Sequence, residues 1–233
     1  KHHTLVFDAG PKFGDSFNTG TAIVQPFLQY QGIKQIDHLV ISHADNDHIG
    51  GALPLIHAMP VVQISSSVPE LLPNATSCIA GQSWQWDGID FLMLNPNSND
   101  VDSENNLSCV LKISNKTHSV LLTGDIEREA EQQLLARYSE QLHSTVLVAP
   151  HHGSKTSSTH AFIDAVRADY ILFPVGYNNR YHFPAKSIVK RYQQQELSMF
   201  NTANHGAIQF KFTAKNDPLI TTWRQSSKKI WRY

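Results

Sequence analysis

Apolar residues along the chain fall into short runs separated by polar and glycine-containing breaks. LVF (5–7), IDHLVIS (36–42), VVQIS (61–65), IDFLMLN (89–95), SCVLKIS (108–114) and SVLLTGD (119–125) are brief and rich in Val, Ile and Leu, which predicts strands. The pattern changes at EREAEQQLLARYSEQLH (127–143), where strong helix formers carry apolar residues at helical spacing. Pro184 stands where a second helix, running to about Gln195, can begin. STVLVAP (144–150), ADYILFPVG (168–176), AIQFKF (207–212) and LITTW (219–223) return to strand character. A β-rich first half followed by strands alternating with helices predicts an α/β protein with helix-covered sheets. NPNSNDVDSENN (95–106) reads as one long polar loop, and no internal repeat is visible.

Composition narrows this picture. With 233 residues, 41% hydrophobic and 17% charged, the chain can bury a sizeable core as a single domain spanning 1–233. No apolar run reaches the roughly 20 residues that a membrane span requires. The chain opens at KHHTLVFDAG, already inside a strand-like run, which suggests a piece of a longer protein. Cys78 and Cys109 match no zinc or redox-dithiol spacing, and sequence alone leaves free thiols and a disulfide equally open.

The net charge of -1 hides an asymmetry: residues 1–117 carry 5 Lys+Arg against 11 Asp+Glu, whereas 118–233 carry 14 against 9. Lys155, Arg180, Lys186, Lys190 and Arg191 lie in the basic half and would receive a polyanion if they share a face; solvated surface charge is the alternative.

The densest chemistry is SHADNDHIGG (42–51), where His43, Asp45, Asp47 and His48 follow directly on a strand. Strand ends in α/β proteins commonly display function. In an extended segment His43, Asp45 and Asp47 project the same way and the adjacent Asp47 and His48 diverge. One ion would be awkward to bind with all four, and two neighbouring ions remove the difficulty. Gly50 and Gly51 then allow close backbone approach. His151 and His152 close another strand in APHHGSKTSS; as adjacent residues they too should diverge, so one is a ligand and the other binds phosphate or acts as general acid. The expectation is His151 as ligand and His152 as the catalytic partner. His2, His3, His38, His57, His143, His160 and His205 are read as solvated.

SHADNDHIGG resembles the HxHxDH signature of the metallo-β-lactamase superfamily, with Asp45 in place of the second histidine. LVFDAG resembles its first motif and LLTGD the motif of its metal-bridging aspartate, which falls on Asp125. APHHGSKTSS, NNRYHFP (178–184), CIAGQSWQWDG and NNLSCVLKI resemble the C-terminal hydrolase domain of the ComEC family of bacterial DNA-uptake channels.

The resemblance implies a four-layer αββα sandwich and two divalent ions, one on His43 and Asp45, one on Asp47 and His48, bridged by Asp125. It implies that Asp8 orients the ligand histidines, that His182 serves as ligand or proton donor, and that Ser154, Lys155, Arg180 and Lys186 face DNA. The oxygen-rich donor set favours manganese over zinc. The function implied is a nuclease that degrades the non-transported strand through a hydroxide activated by both ions, on single- or double-stranded DNA. The setting implied is the periplasmic part of an inner-membrane protein, attached to its channel portion and monomeric in isolation, where Cys78 and Cys109 would oxidise to a disulfide. A small-ester, phosphorylcholine-ester or lactam hydrolase and a DNA-guiding module with little activity are the alternatives. One departure stands out: the superfamily's further histidine ligand has only His118 as a counterpart in residues 60–120, where the ComEC-like branch carries NNLS (105–108).

Overall fold

A computed structural model describes residues 2–97, 103–195, 197–213 and 217–227. Residues 98–102 of the expected polar loop lie outside the described residues. The chain divides into two compact units, Lys1–Leu111 and Lys112–Tyr233.

The first unit contains β1 (Leu5–Phe7), β2 (Lys12–Phe13), β3 (Phe17–Asn18), α1 (Gln25–Tyr30), β4 (Ile36–Ile41), α2 (Asn46–Ile49), α3 (Ala52–Ala58), β5 (Val61–Ser66), β6 (Thr76–Ser77), β7 (Ser83–Trp86) and β8 (Ile89–Asn95); the chain leaves it through β9 (Val110–Ser114). Its parallel sheet has the order β1-β4-β5-β6, with Val6 opposite Leu39 and Leu39 opposite Ile64. Parallel neighbours need crossovers, and the helices supply them. Leu28, Leu39, Ile41, Leu55, Met59 and Ile64 form the core against which α1 and α3 pack. The expected β-rich first half is observed: among the described residues nine strands have begun by Val110, and the three short helices set among them are too short for their periodicity to show in the sequence.

The second unit contains β10 (Ser119–Leu122), α4 (Arg128–Tyr138), β11 (Val146–Val148), α5 (His160–Val166), β12 (Tyr170–Phe173), α6 (Lys186–Gln193), β13 (Ser198–Asn201), α7 (Thr202–His205), β14 (Ile208–Lys211), β15 (Leu219–Thr222) and α8 (Trp223–Ser226). Strands β10 to β13 are parallel neighbours in sequence order, and β14 pairs with β15 as a hairpin. Leu121, Leu134, Leu147, Phe162, Ile171 and Tyr192 are fully buried. The helix expected over 127–143 ends at Tyr138 and continues as a tight turn, Ser139–Gln141. No described helix is long and apolar enough to cross a membrane.

Candidate metal centre

In the first unit, β4 ends at Ile41 and the next two residues are buried. The extended course then stops at Asp45, whose carbonyl accepts from His48 N (2.9 Å) and Ile49 N (3.0 Å) and starts α2. This corrects the extended reading of 43–47: Asp47 and His48 occupy a helical turn, which swings them back towards the strand end instead of alternating. His43 Nε2 lies 3.5 Å from Asp45 Oδ2, and His48 Nε2 lies 3.8 Å from Asp47 Oδ2. Gly51 permits the fold-back, because a Cβ there would meet Ala9 O at 2.4 Å and Gly20 N at 2.6 Å.

The other ring nitrogens are held from behind. Asp8 Oδ1 accepts from Ser42 N (2.7 Å), and its Oδ2 accepts from Ser42 Oγ (2.9 Å) and lies 2.7 Å from His48 Nδ1. Ser42 Oγ also lies 3.0 Å from His43 Nδ1. Since Ser42 has one hydroxyl proton and gives it to Asp8, His43 Nδ1 is the donor in that contact, and His48 Nδ1 donates to the carboxylate. Both imidazoles are thereby fixed with the Nε2 lone pair on the carboxylate side, the arrangement that metal-binding histidines require. The expected orienting role of Asp8 has this geometry. Ser42, which sequence reasoning passed over as the last residue of a strand, is the linking group.

The second unit carries the other donors. After β10, Thr123 Oγ1 donates to Val148 O (2.9 Å), and Gly124 O accepts from His151 N (3.1 Å), which brings the buried Asp125 beside the end of β11. His151, His152 and Gly153 take φ of 48°, 54° and 82°, three consecutive left-handed residues. A Cβ on Gly153 would lie 2.9 Å from the Phe173 ring, so only glycine closes this turn. The turn also corrects the expectation that the two histidines diverge: His152 Nε2 lies 3.4 Å and His151 Nε2 3.8 Å from the same Asp125 Oδ2. Their rear nitrogens differ. His152 Nδ1 donates to Pro174 O (2.8 Å), whereas His151 Nδ1 faces Glu127 Oε1 (3.2 Å) and Thr156 Oγ1 (3.2 Å). Glu127 was missed in the sequence, although its place two residues after Asp125 is a signal that could have found it.

The loop after His152 is braced from inside. Glu131 on α4, fully buried, accepts from the backbone N–H groups of Ser158 and Thr159 (2.8 Å for the latter). Burial pushes its carboxyl up, opposed by those hydrogen bonds and by Arg191. Arg191 donates to Ser158 O and Tyr192 Oη to Ser158 Oγ (3.0 Å), so Arg191 does not join a basic outer face. Ser154 is buried, with its hydroxyl 3.1 Å from that of Thr156, while Lys155, Arg180, Lys186 and Lys190 are exposed. His182 is exposed beside Phe183, and among the described residues its ring makes no hydrogen bond or ion pair.

Elsewhere, NNLS forms the turn Glu104–Leu107 with Asn106 and Ser108 buried, and Asn95 Nδ2 donates to their carbonyls (2.9 Å each). His118 lies beside Phe212. His38, read as solvated, is instead 1% exposed on β4, with Nε2 2.9 Å from Ser65 Oγ and its ring against Trp84. A disulfide joins Cys78 to Cys109, whose N–H donates to Ser42 O (2.9 Å), next to His43.

With both donor sets described, the class of the molecule follows: the chain belongs to the metallo-β-lactamase superfamily, whose pattern matches residues 1–173. It is 37% identical over 199 residues to the competence protein ComA of Neisseria gonorrhoeae, covering 83% of this chain and 28% of that protein. It is 33% identical over 223 residues to the uncharacterized protein YcaI of Escherichia coli, covering 96% and 28%. Against recombination protein 2 of Haemophilus influenzae the identity is 37% over 210 residues, covering 89% and 26%. The chain thus spans little more than a quarter of these relatives. Two solved structures share the fold at 14% identity. One is the metal-dependent hydrolase Tm1679 (TM-score 0.54, 86% of each chain), and the other is YhfI of Bacillus subtilis (TM-score 0.53, 85% of this chain and 84% of that one).

Proposed function

We propose that the chain is a metal-dependent phosphodiester hydrolase acting on DNA. The observation that carries this reading is the shared construction of its donors: the Nδ1 atoms of His43, His48 and His152 are each held by a hydroxyl, carboxylate or carbonyl, with each Nε2 beside a carboxylate oxygen. Such donors fit divalent ions, and carboxylates grouped this closely are costly without one. Following the superfamily pattern, His43 and Asp45 would hold one ion and Asp47 and His48 a second, with Asp125 as a further carboxylate donor. The high share of oxygen donors favours manganese, with zinc second.

Two divalent ions, when bound, supply Lewis acidity that acidifies water and neutralises phosphoryl oxygens in an in-line displacement. The chain's own residues do the rest. Asp8 and Ser42 keep two imidazoles in one tautomer. His152, tied to Pro174 O, is the ligand of the histidine pair, which reverses the sequence-based preference for His151. His151, backed by Glu127, is placed to pass a proton from Nε2 to the leaving oxygen.

DNA as substrate draws support from the names of the competence and recombination relatives and from the basic second half of the chain. The resemblance to the ComEC family extends the proposal: the domain would be part of a longer membrane protein and work outside the cytoplasm, where the Cys78–Cys109 bond persists. The purified chain is expected to cleave single-stranded DNA with manganese and to lose this in Asp47→Ala. Full activity in that variant would overturn the ligand assignment, and turnover of phosphorylcholine esters without DNA cleavage would overturn the substrate.

A further inference from the structure

A cleft of about 410 Å³ in the second unit is lined by Tyr177, Asn178, His182, Phe183, Asn201 and Asn204, among others. Its wall is a fixed turn: Asn179 Nδ2 donates to Phe183 O (2.8 Å) and Asn179 Oδ1 accepts from Phe183 N (2.9 Å). From this turn a stack of planes runs inward. The Arg180 guanidinium sits 4.6 Å from the Tyr181 ring centre, Tyr181 stacks on Phe183 at 5.5 Å and 21°, and Phe183 stacks on His152 at 6.3 Å and 20°. The stack therefore ends on the histidine beside Asp125. Tyr181 is engaged by Arg180 and Phe183, whereas Tyr177, 82% exposed, enters no ring contact among the described residues.

An exposed aromatic ring and neutral amides lining the cleft, with a guanidinium carried on the turn that forms its wall, are the parts that bind a nucleotide without reading its sequence: ring for base, amides for base edge, cation for phosphate. A paired base has both faces stacked and its edge used, so this chemistry selects an unpaired one. We propose that the cleft is a subsite for one nucleotide of a single-stranded nucleic acid, with the base on Tyr177, its edge towards Asn178 and Asn204, and the backbone phosphate on Arg180. The substrate class rests on the hydrolytic reading above; the subsite adds strand form and the residues that select it.

The test is fluorescence anisotropy of a labelled oligothymidylate with the 233-residue chain in EDTA, alongside the same strand made abasic. Tyr177→Ala is expected to raise Kd roughly tenfold. Tyr177→Phe should stay within about twofold, because stacking needs the ring and not the hydroxyl. The abasic strand should bind wild type as weakly as oligothymidylate binds Tyr177→Ala. An unchanged Kd in Tyr177→Ala, an equal loss in Tyr177→Phe, equal affinity for the abasic strand, or no binding at all would each overturn the subsite. No divalent ion or turnover enters this measurement. Absence of hydrolysis with the Tyr177 effect intact would therefore count against the hydrolytic reading alone, and hydrolysis with Tyr177-insensitive binding against the subsite alone.

Discussion

His151 and His152 show how much a local backbone conformation decides. As neighbours in an extended chain they would face opposite ways, yet consecutive left-handed residues turn both Nε2 atoms to Asp125, with His152 the nearer and a different partner behind each ring. On the proposed reading His152, whose Nε2 lies nearer Asp125 Oδ2 (3.4 against 3.8 Å), is the ligand, and His151, with Glu127 behind it, is the proton carrier. His152→Ala is accordingly expected to lower the bound metal of the purified chain, measured by elemental analysis. His151→Ala should keep its metal and lose about 10²- to 10⁴-fold in turnover. The reverse pattern would exchange the two roles. Of the candidate donors, His43, Asp45, Asp47 and His48 stand out in the sequence as residue types directly after a strand, whereas Asp125 is reached through the resemblance of LLTGD to a superfamily motif. The parts that orient them were harder to read: the contacts of Ser42 with Asp8, of Glu127 with His151 and of the Pro174 carbonyl with His152 join residues far apart in sequence and carry no sequence period.

Among elements, β4 carries both the donor end and a buried histidine. His38 packs on Trp84 and Trp86 of β7, with its Nε2 against Ser65 of β5, and burial lowers its pKa from 6.5 to about 4. The neutral imidazole is the form the fold accepts, so its contribution to stability is complete above pH 6.5 and is lost as pH falls towards 4. That shift corresponds to at most about 3 kcal/mol. Denaturant unfolding at pH 7.5 and 4.5 should show a smaller pH-dependent loss in His38→Gln than in wild type; an identical loss would mean that His38 does not titrate on unfolding. Most strands were readable from their Val, Ile and Leu runs, which match β4, β5, β8 and β12 closely. Helices α1, α3 and α5 were not, because six or seven residues give fewer than two full turns of period. His38 was misread for a related reason: a polar residue on the buried face of a parallel strand has no signature until its partners are known.

For the molecule as a whole, the disulfide connects chemistry to compartment. Cys78 and Cys109 lie 31 residues apart in sequence, and the Cys109 backbone holds Ser42 O beside the first donor set. If the chain works outside the cytoplasm, alkylation of unreduced protein should modify no cysteine; two modified thiols would remove this support for the location. The central claim is that these donors hold divalent ions and use them to cut phosphodiester bonds. It is tested most directly by stripping the chain of metal and following cleavage of a single-stranded oligonucleotide as divalent ions are returned one at a time. Cleavage absent in chelator and restored first by manganese, with zinc second, is the predicted result, and cleavage that persists in chelator or returns with no divalent ion would contradict it.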